Sequence, residues 1–447
     1  MKKWSLVKPR LKHYSVFSLH SQSFHRILTR VVDVNTREIP ALLWSFAYFF
    51  CVLAAYYIVR PVRDEMGVLA GIHKLPGFFF MVFLTMLAVV PLFGWAASRL
   101  TIRRLLPTIY GFFVLNLVGF FIALQAGSNL TTLAPVFFVW VSVFNLFVVS
   151  VFWSFMADIF STDGARRLFG FISAGGSLGA ISGPLFTAIA VKGLGVTSLL
   201  LVSSALLLMA VVCIFALLVW YRTCHGEDLG AKHLASSASS DSPASLWVGL
   251  VRIAHSRYLQ AICVYLVCYS ILSTFLYSQQ TILIPQVVPD SEDRLRLFAS
   301  FDLVVNTLTI CIQLFVTGRL LPSLGVTVML MAMPILNFVG FGVFGILTIL
   351  PVLLGFGILR RAGEFSIAKP ARETLFTVVP RVEKYQAKNV IDTVVHRGGD
   401  VTGTWVGSAL HNLGLSISQM SFVALPIVLV WLLTGRFLGR RHEKYQV

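Results

Sequence analysis

Long apolar runs separated by short polar turns dominate the chain. They fall at about 40–59, 76–98, 104–125, 133–158, 168–191 and 196–220, then at about 258–284, 297–318, 325–345, 346–368, 387–411 and 417–437. Each is about long enough to cross ~30 Å of hydrocarbon as a helix. Between the two sets lies the stretch 221–245, with SSASSDSPAS, whose small polar residues and proline read as a linker. The pattern predicts an all-α membrane protein of twelve transmembrane helices in two pseudo-symmetric six-helix halves. The expected layout is a basic arm over 1–39, a half over 40–220, a linker over 221–257, a second half over 258–438 and a tail over 439–447.

Composition agrees with a membrane protein and excludes a binder of nucleic-acid polymers. Hydrophobic residues make up 57% and mean hydropathy is +0.82, although the net charge is +17. The basic residues sit in particular loops: Arg99, Arg103 and Arg104; Arg166 and Arg167; Arg222 and Lys232; Arg319; and Arg372, Arg381 and Lys384. These follow the second, fourth, sixth, eighth and tenth runs, which is the positive-inside pattern and places both termini in the cytoplasm. The expected setting is a bacterial cytoplasmic (inner) membrane, crossed many times by a monomer. No acid precedes Asp33, and no apolar signal core is present. A cytosolic arm lying on anionic headgroups is the preferred reading of that start, with an organellar transit peptide as the alternative. The six cysteines show neither zinc nor redox spacing. No hydrolase, phosphate-loop or metal motif appears, so no enzyme, metal or cofactor is expected.

Against this apolar background, Ile358–Trp405 is crowded with charge. Ionisable groups at membrane depth cost roughly 2.5–3.5 kcal/mol each on insertion scales, so by default they mark a pathway or binding site. Lys388, Asp392 and His396 recur every four residues, which on an α-helix forms one stripe; Arg397 and Asp400, three apart, fall on an adjoining stripe. Arg360, Arg361 and Glu364 offer another internal pairing, and Lys369 and Arg372 are expected at the cytosolic edge. The first run ends AAYYIVRPVRDE, where Tyr57, Arg60, Arg63, Asp64 and Glu65 stand at the mouth of the bundle. Two guanidiniums three apart suit phosphate or carboxylate oxygens. Asp302 and Asn306 form a further inward pair. Gly170, Gly175, Gly176, Gly179 and Gly183 in the fifth run, and Gly398, Gly399, Gly403 and Gly407 in the eleventh, let membrane helices approach closely.

Several blocks resemble a known family. YYIVRPVRDEMGV, the segment VFWSFMADIFSTDGARRLFGFISAGGSLGAISG, and above all KPARETLFTVVPRVEKYQAKNVIDTVVHRGGDVTGTW resemble the ATP/ADP translocases of plastids and obligate intracellular bacteria. FGWAASRLTIRR is similar to the loop motif of the major facilitator superfamily, with Ser98 where that motif usually has Asp. The resemblance implies a major facilitator fold and exchange of nucleoside triphosphate for diphosphate without hydrolysis. A departure is Arg63, which stands where that family has Lys.

The resulting expectation is a secondary transporter that works by alternating access and carries a nucleotide or another small anionic metabolite. Arg63 and Lys388 would hold anionic oxygens, assisted by Arg60, Arg397 and Tyr57. Asp64, Asp302, Glu364, Asp392, His396 and Asp400 would balance charge, couple or gate. A proton-coupled carrier of a neutral or amphiphilic molecule, using Asp302, Glu364, Asp392 or His396, is the alternative. A membrane scaffold without transport is the second, disfavoured by the cost of keeping intramembrane charge.

Overall fold

The computed structural model describes residues 34–127, 130–225, 246–380, 383, 387–388 and 390–446. Most of the expected arm over 1–39 and of the linker over 221–257 lies outside these residues, as do the expected loop cations Lys232, Arg381 and Lys384.

The chain is a bundle of antiparallel helices: α1 (Ile39–Ala70), α2 (Leu75–Arg99), α3 (Ile102–Gln125), α4 (Leu130–Ile159), α5 (Thr162–His225), α6 (Leu246–His255), α7 (Arg257–Val287), α8 (Ser291–Ile312), α9 (Gly318–Ile346), α10 (Leu350–Gly363), α11 (Lys369–Thr374), α12 (His396–Asn412) and α13 (Ile417–Gln446). Local chemistry sets several boundaries. Pro40 opens α1, and Gly71, at φ 75°, closes it in a conformation that favours glycine. Asp290 caps α8 by accepting from the Asp293 amide at 2.8 Å, and Ser256 caps α7 by accepting from Leu259 at 3.3 Å.

These thirteen helices do not map one to one onto twelve spans. Among the described residues, nine helices are long and apolar enough to cross a membrane. Helix α5 is two rods that meet at Gly195 (φ 73°, ψ 163°), and α9 turns in the same way at Gly325 (φ 76°, ψ 166°). The charged tenth and eleventh runs are broken by wide π-turns at Glu364–Ala368 and Ile391–Val395, and a third, Gln313–Thr317, follows α8. Helix α6 is a short extra element before the second half. The expected count of twelve is therefore not reproduced one for one: glycine bends merge some apolar runs into single helices, and π-turns split others.

Among the described residues two large hydrophobic cores form, with a small third cluster of Val68, Ile284 and Phe298 between the halves. One is drawn from residues between Val34 and Tyr221 with Leu295 added, the other from residues between Tyr258 and Leu438 with Ile72 added. Large apolar side chains such as Leu115, Ile189 and Leu433 are exposed on the outside, where a bilayer would cover them.

The glycine stripes explain how each half is tied together. A Cβ added at Gly175 or Gly179 would lie 2.4 Å from the Phe46 or Phe50 carbonyl oxygen of α1, and one at Gly183 would lie 2.8 Å from that of Ala54. In the second half, Gly399, Gly403 and Gly407 of α12 press against Ser270, Thr274 and Ser278 of α7; a Cβ at Gly403 would come within 2.5 Å of the Ile271 carbonyl. Both stripes repeat every four residues, and both join a half's first span to its fifth. Gly179→Val should therefore fail to fold or lose stability by more than the roughly 1–3 kcal/mol of ordinary overpacking, because backbone cannot step aside. Gly170→Ala, with nothing within 4 Å, should melt at or above the parent temperature. Equal melting of the two variants would refute the backbone-contact account.

Candidate functional site

Between the halves lies a cavity of about 840 Å³, within the range of small-molecule sites. Six cationic side chains line it: Arg60 and Arg63 from α1, Arg360 and Arg361 from α10, Lys369 from α11 and Arg397 from α12. Among the described residues two carboxylates, Asp64 and Asp400, share the lining. Asn145 and Ser150 of α4 and Ser173 and Ser177 of α5 add neutral hydrogen-bonding groups, while Tyr56, Tyr57, Tyr269 and Tyr277 add aromatic surface.

The cations are held in different ways. The Arg60 guanidinium lies 3.3 Å from Asp302 Oδ1 and 5.8 Å from the Tyr57 ring centroid. Arg361 donates to the same Oδ1 at 2.9 Å. Arg63 sits 3.7 Å from Asp64 Oδ1 and 4.2 Å over the Phe138 ring, a cation–π contact. Tyr277 also donates to Asp64, at 3.5 Å. Asp400 accepts from Arg397 at 3.1 Å and from the Ser270 hydroxyl, and lies 3.5 Å from His396 Nδ1. Arg360 donates to the Ser273 hydroxyl at 3.0 Å, and among the described residues it has no carboxylate within ion-pairing distance.

The far end of the bundle, opposite residues 34–39 and 440–446, is bolted across the halves. Glu65 of α1 accepts from Arg294 of α8 through Nε at 3.0 Å and Nη2 at 2.7 Å, and from Ser291 at 2.7 Å. Arg294 spends Nη1 on the carbonyls of Val288 and Pro289. Both side chains are buried. Lys192 and Asp293 meet at 2.6 Å nearby, and the rings of His73 and His411 are 5.5 Å apart. At the near end, the pairs Glu38–Arg167, Arg252–Glu383 and Lys388–Glu373 each stay within one half.

The expected site residues thus separate. Tyr57, Arg60, Arg63, Asp64, His396, Arg397 and Asp400 come together at the cavity, with Asp302 buried directly behind Arg60. Lys388 and Asp392 require correction. Lys388 is absent from the cavity wall and pairs with Glu373, and Asp392 is exposed. The four-residue stripe assumed an α-helix, but the π-turn Ile391–Val395 widens the coil and rotates what precedes it away from His396. Glu364 also lies off the wall, 3.8 Å from Arg372. Lys369, expected at the cytosolic edge, lines the cavity instead. Arg360 and Arg361 carried too little weight in the sequence reading. Arg294 had no role there, although the mixed-sign turns RPVRDE and PDSEDRLR were the available signal for it. Among the described residues, no group of His, Cys, Asp or Glu could hold a metal ion.

Several solved structures that share this architecture are transporters. The POT family transporter PepTSo aligns at a TM-score of 0.60 with 14% identity, over 91% of this chain and 98% of its own. A bacterial homologue of the iron transporter ferroportin, in an inward-facing state, aligns at 0.63 with 13% identity, over 91% of this chain and 100% of its own. A bacterial homolog of the human lysosomal transporter Spinster, inward-facing and unoccupied, aligns at 0.55 with 13% identity, over 92% and 99%. At such identities the likeness shows the fold alone. No curated protein matches the chain in sequence. The family model for the TLC ATP/ADP transporter, however, matches residues 133–442, which include α8, α10 and α12 and so most of the cationic wall. The chain belongs to the TLC ATP/ADP transporter family and is a secondary membrane transporter.

Proposed function

We propose that this carrier exchanges one nucleotide for another, ATP- or ADP-like, across a bacterial cytoplasmic membrane, with both termini in the cytosol and one chain as the working unit. One observation carries the reading: six cations converge on one cavity against two lining carboxylates. Such an excess is unfavourable in an empty low-dielectric cleft and is relieved by a polyanion, whose oxygens accept charge-assisted hydrogen bonds. Arg63, Arg360 and Arg397 are assigned to the phosphates, with Arg60 and Arg361 beside them. Tyr57 and the neutral groups of α4 and α5 are assigned to the uncharged part. Lys388 leaves the substrate set and becomes a near-end pairing residue. Rocking of the two halves around the cavity then exposes the site to each side in turn.

The test is uptake of labelled ATP into vesicles that contain the purified protein. Uptake should require nucleotide inside and persist when a proton uncoupler is added. Uptake that needs no internal nucleotide and collapses with the uncoupler would instead install the proton-coupled reading, with Asp302, Glu364 or His396 as carrier.

A further inference from the structure

Asp302 is placed unlike any other acid of the site. It belongs to α8 in the second half, its side chain is 1% exposed, and it does not line the cavity. Its single oxygen Oδ1 serves two guanidiniums that do line it: Arg361 of its own half at 2.9 Å and Arg60 of the other half at 3.3 Å. Its second oxygen, though buried, has no hydrogen-bond partner, and neither has Arg60 Nε. The link to Arg60 is also a bond between the halves, on the cavity side of the Glu65–Arg294 bolt. One carboxylate thus does duty for two cations and ties the halves together.

We propose that Asp302 is a resident competitor anion: it occupies Arg60 and Arg361 in the empty carrier, and a substrate must outbid it for Arg60 before the halves can separate at the far end. This rests on the anion-carrier reading and deepens it. Two consequences follow from charge alone. A weakly charged anion gains little at Arg60 and Arg361, because Asp302 already neutralises one of them and repels the newcomer. A multiply charged anion gains enough to share or take the guanidinium. Asp302 therefore sets a charge threshold for the substrate, and it makes unlocking depend on a loaded site, which is the requirement for exchange rather than leak.

The isosteric variant Asp302→Asn keeps an oxygen acceptor for Arg361 and removes the charge. Purified parent and variant are titrated with inorganic phosphate and with pyrophosphate. The parent should prefer pyrophosphate by about tenfold or more, and the variant should bind phosphate about tenfold more tightly, so that the preference shrinks. In parallel, spin labels at positions 73 and 411 report the far-end separation, with exposed Cys224 and Cys311 replaced by Ser. Pyrophosphate should widen the parent's distance, and the variant, whose Glu65–Arg294 bolt is intact, should widen at a lower pyrophosphate concentration than the parent. If Asp302→Asn does not fold, the parent's own distance response decides: no widening at saturating pyrophosphate overturns the proposal. Unchanged or weaker phosphate binding by a folded variant also overturns it and leaves Asp302 as a positioning residue for the arginines. A parent that binds neither anion overturns the anion-carrier reading itself.

Discussion

Arg360→Gln is expected to weaken anion binding more than any other single substitution at the cavity, while leaving the melting temperature unchanged or raised. Arg360 lines the cavity, is largely buried, and leans on the Ser273 hydroxyl at 3.0 Å instead of on a carboxylate. Its Nε has no partner. Arg60, Arg63, Arg361 and Arg397 each have an acid within 4 Å, so part of their charge is already answered. A charge-assisted contact is worth roughly 1.5–3 kcal/mol. Its loss predicts a drop of about tenfold to a hundredfold in affinity, at about 1.4 kcal/mol per decade. Removing a buried cation that, among the described residues, has no carboxylate within 4 Å relieves a desolvation cost, so stability should not fall. Isothermal titration with ADP and a melting curve measure both. Unaltered affinity together with a lowered melting point would make Arg360 a structural strut for α7 and α10.

The second large effect concerns the far-end bolt. Glu65→Gln should unlock that end, because it leaves the Arg294 guanidinium buried and unanswered. Breaking one member of such a pair costs about 3–5 kcal/mol, and opening to water recovers much of it. Labels at positions 73 and 411, beside the two histidine rings, should then report a population with the far end apart. Replacing both partners with Met should close it again, since an apolar pair of similar volume needs no counter-charge. A Glu65→Gln protein with the parent's distance distribution would mean that glycine packing and aromatic contacts alone hold the far end shut.

Much of the fold was legible from pattern. Apolar runs of membrane length marked the rods, and glycines every fourth residue at Gly175–Gly183 and Gly399–Gly407 marked the helix pairs. The concentration of charge in 358–405 supplies Arg360, Arg361, Lys369, His396, Arg397 and Asp400 to the cavity wall. Direction was harder. The α-helical period that placed Lys388, Asp392 and His396 on one face fails across a π-turn, and nothing in the residues IDTVV announces that turn. Likewise the partner of Asp302 proved to be Arg60 and Arg361, one in the other half and one 59 positions away, which local spacing cannot encode. The Glu65–Arg294 bolt joins α1 and α8 across 229 positions, a separation that no local charge pattern can bridge. Long-range pairing of opposite charges in a membrane is decided by which rods touch, and that comes from shape before charge.

The glycine stripes also divide the cavity wall by how freely it can change. Where α1 meets α5 and α7 meets α12, the glycines let backbone and short side chains pack so closely that an added Cβ would collide. Cavity residues on these four helices ride on a fixed register, so an alteration there is transmitted to the rest of its half. Helices α4 and α8 contribute Asn145, Ser150, Asn306 and Thr309 to the same wall without that constraint. Diversification of what the carrier accepts, whether by natural drift or by laboratory selection, should therefore accumulate on α4 and α8, while the glycine-bound helices stay as the conserved chassis on which those changes are tried.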